Sequence, residues 1–336
     1  MEDNTENKSA ATTTIFNRET VDDQITKIVV EHFPKKQAKR LSGGYKSAVY
    51  LLQEDSKESE ADKHSTILKT GSEDSIKSER TALRLWKEKG ASVPAILSSS
   101  SDDSPQAWFE MENVDKADAT SQIDPEKVNS SLADTLRLMH DTRTSGWGEL
   151  QLDGIGKYSS IKESTDAKLS HFFMQEKALT FVSQNDSSLI TKAHNWLNEN
   201  LGLITDRGIT PSVIHNDLNQ SNWLITPENK VVVIDPIAEA GDPMQDIAHL
   251  ICSFKCNGQW TPEIGQKFIS NYFKDGLSPE QVGKIRYYQV SESILFMAKE
   301  ALVGDPNNTA KLYLELANKL MSSSNNLSSI SDISEL

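Results

Sequence analysis

The stretch HNDLNQSN, residues 215–222, carries several polar side chains between two short apolar segments. His215, Asp217 and Asn222 have the spacing H-x-D-x-x-x-x-N, and Asp235 ends the apolar run VVVI thirteen residues after Asn222. A carboxylate can orient an attacking hydroxyl group, and amide and carboxylate oxygens are hard ligands that suit Mg²⁺. These residues could support phosphoryl transfer from a nucleotide, which needs positioning and charge neutralisation more than covalent help. An ordinary polar turn between two strands is the other interpretation.

Residues upstream of this stretch could bind the nucleotide. The segment LSGGYKSAVY predicts a strand, a glycine turn and a second strand, and the N–H groups of such a turn can approach phosphates. A plain hairpin turn is the other interpretation. The candidate residues of this turn are Ser42, Gly43, Gly44 and Ser47. Lys69 lies in the apolar strand TILKTG, where its ammonium group is costly unless it meets an anion or reaches water. Glu79, on the next predicted helix, could hold Lys69 in place or lie in solvent.

The elements that must position these residues form two groups. Alternating apolar residues and glycine turns make the first 112 residues strand-rich, with helices predicted over 20–32 and 74–90. Beyond them, apolar residues recur at i, i+3 and i+4, and one β-rich island covers 212–235. The helices predicted there lie within 125–141, 169–182, 188–202, 244–255, 262–276 and 280–304.

The order of the candidate residues along the chain favours one architecture. A glycine turn, a lysine, a helix glutamate, the H-x-D loop and a strand-end aspartate follow the order that a protein-kinase-like fold requires. We predict an α+β, bilobal fold with an antiparallel-sheet nucleotide-binding lobe over 19–114 and a mainly helical catalytic and substrate lobe over 115–321. The segments 1–18 and 322–336, rich in Ser, Asn and Thr, are predicted to be disordered tails.

Composition excludes several classes of protein. The 336 residues carry a net charge of −14, which argues against a nucleic-acid-binding face and is compatible with a cationic substrate or with a merely solubilising surface. No apolar run is long enough to predict a transmembrane helix, and the polar, acidic first residues do not predict a signal peptide. We therefore expect a cytoplasmic protein without a membrane partner. Cys252 and Cys256 are too few for a zinc site or a disulfide framework.

The motifs HNDLNQSN, VVVIDP and GDPMQDIAHL together resemble those of the aminoglycoside phosphotransferase and choline kinase-like family of small-molecule kinases, over residues 38–320. The pattern G-D-P-x-x-D-[IL]-A is characteristic of that family. Two residues depart from it: Asn216 replaces a usual glycine, which Asn tolerates in the left-handed region, and Pro236 stiffens the segment after Asp235.

The resemblance implies a role for each matching residue. Asp217 would be the catalytic aspartate, Asn222 and Asp235 the Mg²⁺ ligands, and Lys69 would grip nucleotide phosphates, paired with Glu79. Asp246 would brace the catalytic loop through its backbone and, with His215, give structural support. In FEMENVD, Met111 would be the gatekeeper, and the Glu112 carbonyl and Val114 N–H would meet adenine.

The function implied by the resemblance is an ATP-dependent transferase of the kinase class, with GTP as the less favoured donor. An aminoglycoside-like compound is the leading acceptor, and choline, a fructosamine or a methylthioribose-like sugar are alternatives. A catalytically inactive, nucleotide-binding regulatory module is a different class of function. A protein kinase is disfavoured, because the five residues between Asp235 and Gly241 cannot form a peptide-docking loop. A metallohydrolase would need a further histidine ligand, for which His249 is the candidate.

Two features of the helical part have open roles. The segment SGWGELQLDGIG, residues 145–156, predicts a structured loop packed by Trp147, although similar stretches occur in some antibiotic-phosphorylating members of the family. Acidic residues of this part could meet a cationic acceptor or simply lie in solvent; they include Asp153, Glu163, Glu263 and Glu292. The sequence does not indicate an oligomeric state.

Overall fold

A computed structural model describes residues 18–43, 47–54, 65–104, 106–118, 120–173, 176–185, 188–205, 209–256, 261–302, 304 and 308–322. The chain divides into two compact units. The first unit comprises the residues up to Ile76 together with Leu97–Met111, and the second comprises Lys77–Ile96 together with Glu112–Leu336. The predicted lobes, 19–114 and 115–321, stay a prediction. The predicted tails lie outside the described residues, apart from their inner ends.

The first unit is built on one five-stranded sheet, in the order β1-β2-β3-β5-β4. Strands β1, β2 and β3 pair antiparallel, and helix α1 packs its apolar side against them. The elements are α1 (Arg18–His32), β1 (Lys36–Gly43), β2 (Ser47–Glu54), β3 (Ser65–Gly71), β4 (Ile96–Ser99) and β5 (Trp108–Glu112), and helix α2 (Glu73–Glu88) begins in this unit and continues into the second. This confirms the predicted antiparallel sheet and the α+β fold class.

The second unit is mainly helical. Its longest helix, Pro279–Leu302, is buried over most of its length. This helix packs mainly against two others, Pro243–Cys256 and Thr309–Ser322. The helices are α3 (Pro125–His140), α4 (Ile161–Phe173), α5 (Glu176–Asn185), α6 (Leu189–Glu199), α7 (Pro243–Cys256), α8 (Pro262–Tyr272), α9 (Pro279–Leu302) and α10 (Thr309–Ser322). Helix α9 is thus the central helix of this unit, and α7 and α10 pack against it.

Local sequence signals explain where several helices begin and end. The Asp124 side chain accepts hydrogen bonds from the N–H groups at the start of α3, and Pro125 is its first residue. Thr261 and Pro262 repeat this arrangement at α8. Gly90, with φ of +82°, follows the end of α2, as predicted.

Short strands bring distant segments of the second unit together. One sheet has four strands in the order β7-β6-β11-β8, and a second has the pair β10-β9. These strands are β6 (Trp147–Leu150), β7 (Gly156–Tyr158), β8 (Ser212–Ile214), β9 (Trp223–Ile225), β10 (Val231–Val233) and β11 (Glu239–Gly241). The two strands that flank HNDLNQSN, β8 and β9, therefore belong to different sheets.

Two predictions for the secondary structure of this unit were wrong. Residues 145–156 form the β6–β7 hairpin rather than a loop, so the unit has strands outside the island 212–235. The hairpin requires its glycines: Gly148 has φ of +78°, and a Cβ atom there would lie 2.6 Å from the Tyr158 ring. The single helix predicted over 169–182 is two helices, α4 and α5. The apolar pattern continues across both and does not locate the end of the first.

Neither cysteine is paired, and neither thiol is suited to reaction. Cys252 is buried and Cys256 is half-buried. Burial raises the pKa of both thiols, that of Cys256 to about 12, so both stay protonated at neutral pH. Among the described residues, no helix combines the length and apolar composition that a membrane crossing requires.

Candidate active site

The loop between β8 and β9 carries the candidate catalytic residues. Strand β8 is fully buried and fixes the start of the loop, and a 3-10 turn at Gln220–Asn222 ends it. Asn219 caps that turn, because its side-chain oxygen accepts a 2.9 Å hydrogen bond from the Ser221 N–H. The polar residues of the loop are therefore held by local hydrogen bonds as well as by the flanking strands.

Asp246, on the first turn of α7, holds the beginning of this loop. Its carboxylate is fully buried and accepts hydrogen bonds from the N–H groups of His215 and Asn216, at 2.7 and 2.8 Å. His140 Nε2 lies 3.1 Å from the same carboxylate, and His140 Nδ1 lies 2.6 Å from the Tyr272 hydroxyl. Burial alone would raise the pKa of Asp246, but the bond and charge of His140 and the contact with His215 bring it below its usual value. The predicted contact of Asp246 with the loop backbone is confirmed.

His215 joins the loop to the strand end that carries Asp235. Its Nε2 donates to the Ile234 carbonyl at 2.9 Å, and its Nδ1 accepts from the Asp217 N–H at 3.2 Å. Both bonds require a neutral ring with hydrogen on Nε2. Burial lowers the pKa of His215, which keeps the ring neutral. Trp86 lies parallel to the ring, at 6.3 Å between centroids.

Asn222 fixes the direction of the Asp217 side chain. Asn222 Nδ2 donates to Asp217 Oδ2 at 2.9 Å and to the Asp217 carbonyl at 2.7 Å. The second carboxylate oxygen, Oδ1, points toward the helical part of the unit. The Asp217 side chain is partly exposed, with 17% of its surface accessible, so it can meet a small molecule. The arrangement suits a carboxylate that orients a hydroxyl group from solvent.

Backbone pairing places Asn222 next to the segment that carries Asp235. Val233 pairs with Trp223 in the β9–β10 sheet, and the Ile234 N–H donates to the Asn222 carbonyl at 2.9 Å. Asp235 follows directly and adopts φ of +59°, a left-handed conformation that is uncommon outside glycine. Such strain concentrates at functional sites, where surrounding contacts enforce it.

The donor set of this pair fits Mg²⁺. With Nδ2 turned to Asp217, the Asn222 oxygen faces away from that carboxylate and accepts a 3.3 Å bond from the Ser221 hydroxyl. An amide oxygen and one carboxylate match a cation that keeps several waters and binds substrate phosphates. Among the described residues, no group of three or more His, Cys, Asp or Glu side chains could hold a metal ion.

Asn216 adopts the left-handed conformation that asparagine was expected to tolerate at this position, with φ of +58°. Its side chain donates to Glu239 at 2.9 Å and accepts from Gln245 at 2.7 Å. Lys168 lies 3.3 Å from the Asn216 oxygen and forms an ion pair with Glu239. Burial raises the pKa of Glu239 above its usual value, although the charge of Lys168 opposes the shift. Asn216 therefore connects the loop to α4, α7 and β11.

The predicted nucleotide-binding residues lie in both units. In the first unit, Lys69 is buried on β3, where it pairs with Val49 of β2, and Ser47 begins β2. Ser42 and Gly43 end β1 after a register shift, whereas Gly44 lies outside the described residues. Met111 lies on β5.

In the second unit, Glu79 is buried on α2, and Glu112 ends β5. The Glu112 N–H donates to the Ala95 carbonyl at 2.9 Å, and its side chain accepts from the Ala95 N–H at 3.0 Å. Val114 is half-buried and lies outside regular secondary structure. The nucleotide-binding roles of these residues, and the pairing of Lys69 with Glu79, stay predictions.

Three residues near Asp217 were not assigned to the catalytic centre from the sequence. His249 Nε2 and Lys299 Nζ lie 3.8 and 3.6 Å from Asp217 Oδ1, and Glu292 Oε2 lies 3.4 Å from His249 Nδ1. Glu292 is buried, so the interpretation that its side chain lies in solvent was wrong. Its helical spacing could have indicated this, because Ile285, Tyr288 and Leu295 share its face of α9 and are buried.

This fold and site define a kinase-like phosphotransferase. A sequence model of the Phosphotransferase enzyme family (APH) matches residues 37–286. The chain therefore belongs to the Phosphotransferase enzyme family, as the resemblance in its motifs predicted.

Solved structures share the fold at low sequence identity. A thermostable mutant of the aminoglycoside phosphotransferase APH(4)-Ia, in a ternary complex with AMP-PNP and hygromycin B, is 16% identical, with a TM-score of 0.67 over 90% of this chain and 99% of that chain. A choline/ethanolamine kinase family protein from Mesorhizobium loti is 14% identical, with a TM-score of 0.59 over 92% and 96%. Amicoumacin kinase hAmiN, in complex with AMP-PNP, Ca²⁺ and Ami, is 13% identical, with a TM-score of 0.61 over 95% and 98%.

Proposed function

We propose that the protein transfers the γ-phosphoryl group of ATP to a hydroxyl group of a small molecule, with Mg²⁺ as the metal ion. The observation that carries the proposal is the arrangement around Asp217. One of its oxygens is fixed by Asn222, its loop backbone is held by Asp246, and the side chain is accessible. A carboxylate held in this way is already ordered, so it can orient a hydroxyl without a further loss of conformational entropy during the reaction.

Each residue of the site has one task in this proposal. Asp217 accepts a hydrogen bond from the acceptor hydroxyl and directs its oxygen toward the phosphorus atom. Asn222 and Asp235 supply oxygen ligands, and bound Mg²⁺ would neutralise charge on the transferred phosphoryl group. Lys69, paired with Glu79, contacts the nucleotide phosphates. His215 and Asp246 keep the loop in place through the hydrogen bonds described above.

The leading acceptor is an aminoglycoside-like compound. Support comes from proteins with the same fold, since one was solved with hygromycin B and another, amicoumacin kinase hAmiN, was solved with Ami. Choline, a fructosamine and a methylthioribose-like sugar are the alternatives, because a choline/ethanolamine kinase family protein shares the fold as well.

A panel of acceptors tests the proposal. The full-length protein is incubated with ATP, Mg²⁺ and one compound at a time: hygromycin B, kanamycin, choline, ethanolamine, a fructosamine or methylthioribose. Mass spectrometry then detects a phosphorylated product. Asp217→Asn is the test variant, and Asp275→Asn is its control, because Asp275 is an exposed aspartate of the same unit. We expect a product with the parent and with Asp275→Asn, and at least a ~10²-fold lower rate with Asp217→Asn.

Two outcomes would contradict the proposal. If the parent binds AMP-PNP but phosphorylates no compound of the panel, the result favours the inactive regulatory module instead. If Asp217→Asn forms product as fast as Asp275→Asn does, Asp217 is not the residue that orients the acceptor.

A further inference from the structure

His249 lies one helical turn after Asp246 on α7, so a single helix reaches two parts of the catalytic loop. Asp246 contacts the loop backbone, and His249 points toward the side chain of Asp217. The His249 ring is 98% buried, since 2% of its side-chain surface is accessible. Phe296 of α9 meets the ring edge-on at 4.4 Å between centroids, which limits the directions in which the ring can turn.

The two oxygens of Asp217 have different surroundings. Oδ2 accepts the 2.9 Å hydrogen bond from Asn222, whereas Oδ1 faces His249 Nε2 at 3.8 Å and Lys299 Nζ at 3.6 Å. Rotation of a carboxylate about its last side-chain bond is soft. Asn222 restrains one side of that rotation, and the groups at Oδ1 restrain the other. Lys299 is 49% exposed and can move away, whereas the buried His249 ring is fixed.

Glu292 of α9 lies behind His249. Its carboxylate is buried, its Oε1 accepts from Gln245 Nε2 at 3.2 Å, and its Oε2 lies 3.4 Å from His249 Nδ1. Gln245 also donates to Asn216, so the same amide connects Glu292 to the catalytic loop. A buried carboxylate is costly without a hydrogen-bond donor nearby, and a hydrogen on His249 Nδ1 would supply one.

The His249 ring therefore lies between two carboxylates, which accept hydrogen bonds but cannot donate them when they are ionised. Nδ1 faces Glu292 and Nε2 faces Asp217, so a hydrogen on either nitrogen is directed at the carboxylate on that side. We propose, on the basis of the function proposed above, that His249 is a positioning residue that orients Oδ1 of Asp217, and that Glu292 holds the His249 ring in that direction. This role concerns the direction of the catalytic carboxylate, so it is distinct from nucleotide binding and from the metal ligands.

NMR spectroscopy of the histidine ring nitrogens tests the contact without any acceptor. The full-length protein is labelled with ¹⁵N-histidine, and His249→Asn identifies the His249 signals. Spectra of Asp217→Asn and Glu292→Gln are then compared with the parent. Ser253→Ala is the matched control, because Ser253 is also buried on α7 but lies outside the described contacts of the site. We expect the His249 ring signals to move in both test variants and to keep their positions in Ser253→Ala.

Turnover provides the second measurement, with the panel compound that yields most product. His249→Asn and Glu292→Gln should each lower kcat by roughly 10- to 100-fold and leave the affinity for AMP-PNP unchanged. In an Asp217→Asn background, His249→Asn should cause no further loss, because residues that act as a unit are not additive. A merely structural histidine would lower kcat by the same factor in both backgrounds.

Three results would overturn the inference. The first is that the His249 ring signals keep their positions in Asp217→Asn, and the second is that the losses of kcat multiply in the double variant. The third is that Glu292→Gln raises the KM for a cationic acceptor and leaves the His249 signals unchanged. The last result would make Glu292 an acceptor contact. If no panel compound is phosphorylated, the proposed function fails, while the NMR comparison still decides whether His249 contacts Asp217.

Discussion

Replacing Asp246 by asparagine should lower the stability of the protein, because it changes the hydrogen-bonding groups of a buried side chain. The carboxylate is fully buried and accepts from two backbone N–H groups, those of His215 and Asn216, at 2.7 and 2.8 Å. Asparagine keeps the shape but has one acceptor oxygen and one NH₂ group. One of the two N–H groups would therefore face another donor, and His140 would lose the negative charge that it contacts at 3.1 Å.

The magnitude follows from these contacts. A buried donor left without an acceptor costs about 1–3 kcal/mol, and the loss of a charged partner in a buried pair adds to it, so we expect Asp246→Asn to lower the free energy of unfolding by about 2–4 kcal/mol. The exposed Asp275→Asn should change it by less than about 0.5 kcal/mol. Urea unfolding at pH 7 measures both values, and hydrogen exchange should show faster exchange at the amides of residues 215 and 216.

The effect should depend on pH with a defined sign. The contacts of Asp246 bring its pKa below the usual value of 3.8, so the stability it contributes is fully present above pH 3.8 and is lost as the pH falls through the folded-state pKa. The difference between the parent and Asp246→Asn should therefore be constant from pH 5 to 8 and should shrink in stronger acid. An Asp246→Asn variant as stable as Asp275→Asn at pH 7 would refute the reasoning.

Three further predictions concern other parts of the chain. Lys69→Ala should weaken AMP-PNP binding strongly while the thermal midpoint changes little, measured by calorimetry; unchanged affinity would remove Lys69 from the nucleotide site. Burial lowers the pKa of His215 below 6.5, so the unfolded chain takes up a proton that the folded chain does not. Stability should fall as the pH drops below 6.5, by at most about 1.4 kcal/mol per pH unit from this group, and His215→Gln should reduce that slope. Gly148→Ala should cost about 2 kcal/mol or more, because its φ is +78° and the new Cβ atom would meet Tyr158, whereas Gly202→Ala has space and should be nearly neutral.

The sequence predicted the features that depend on local signals. The i, i+3 and i+4 recurrence of apolar residues in the helices and the spacing of HNDLNQSN are short-range patterns, and each led to the right element. The Asp246 contact was predicted through the resemblance of GDPMQDIAHL to a known family, since nothing in the spacing itself shows which backbone a helix aspartate meets.

Contacts between distant segments could not be predicted in this way. Strands β6, β7 and β11 have three or four residues each, which is too few for an alternating pattern to be recognised. Helical periodicity could place Glu292 on the buried face of α9, but it does not reveal that His249 lies beside it. The partner of a buried polar group is set by how helices pack, and one sequence carries no direct signal for that.

The most direct test of the account separates the roles of Asp217, Asn222 and Asp235. AMP-PNP affinity is measured by calorimetry over a series of Mg²⁺ concentrations for Asp217→Asn, Asn222→Ala and Asp235→Asn. We expect Asp217→Asn to bind AMP-PNP as the parent does at every Mg²⁺ concentration. We expect Asp235→Asn to bind weakly and to be partly restored by excess Mg²⁺, and Asn222→Ala to show a milder form of the same defect. If Asp217→Asn is instead the variant restored by Mg²⁺ while Asp235→Asn matches the parent, the catalytic and metal-binding roles are assigned to the wrong aspartates.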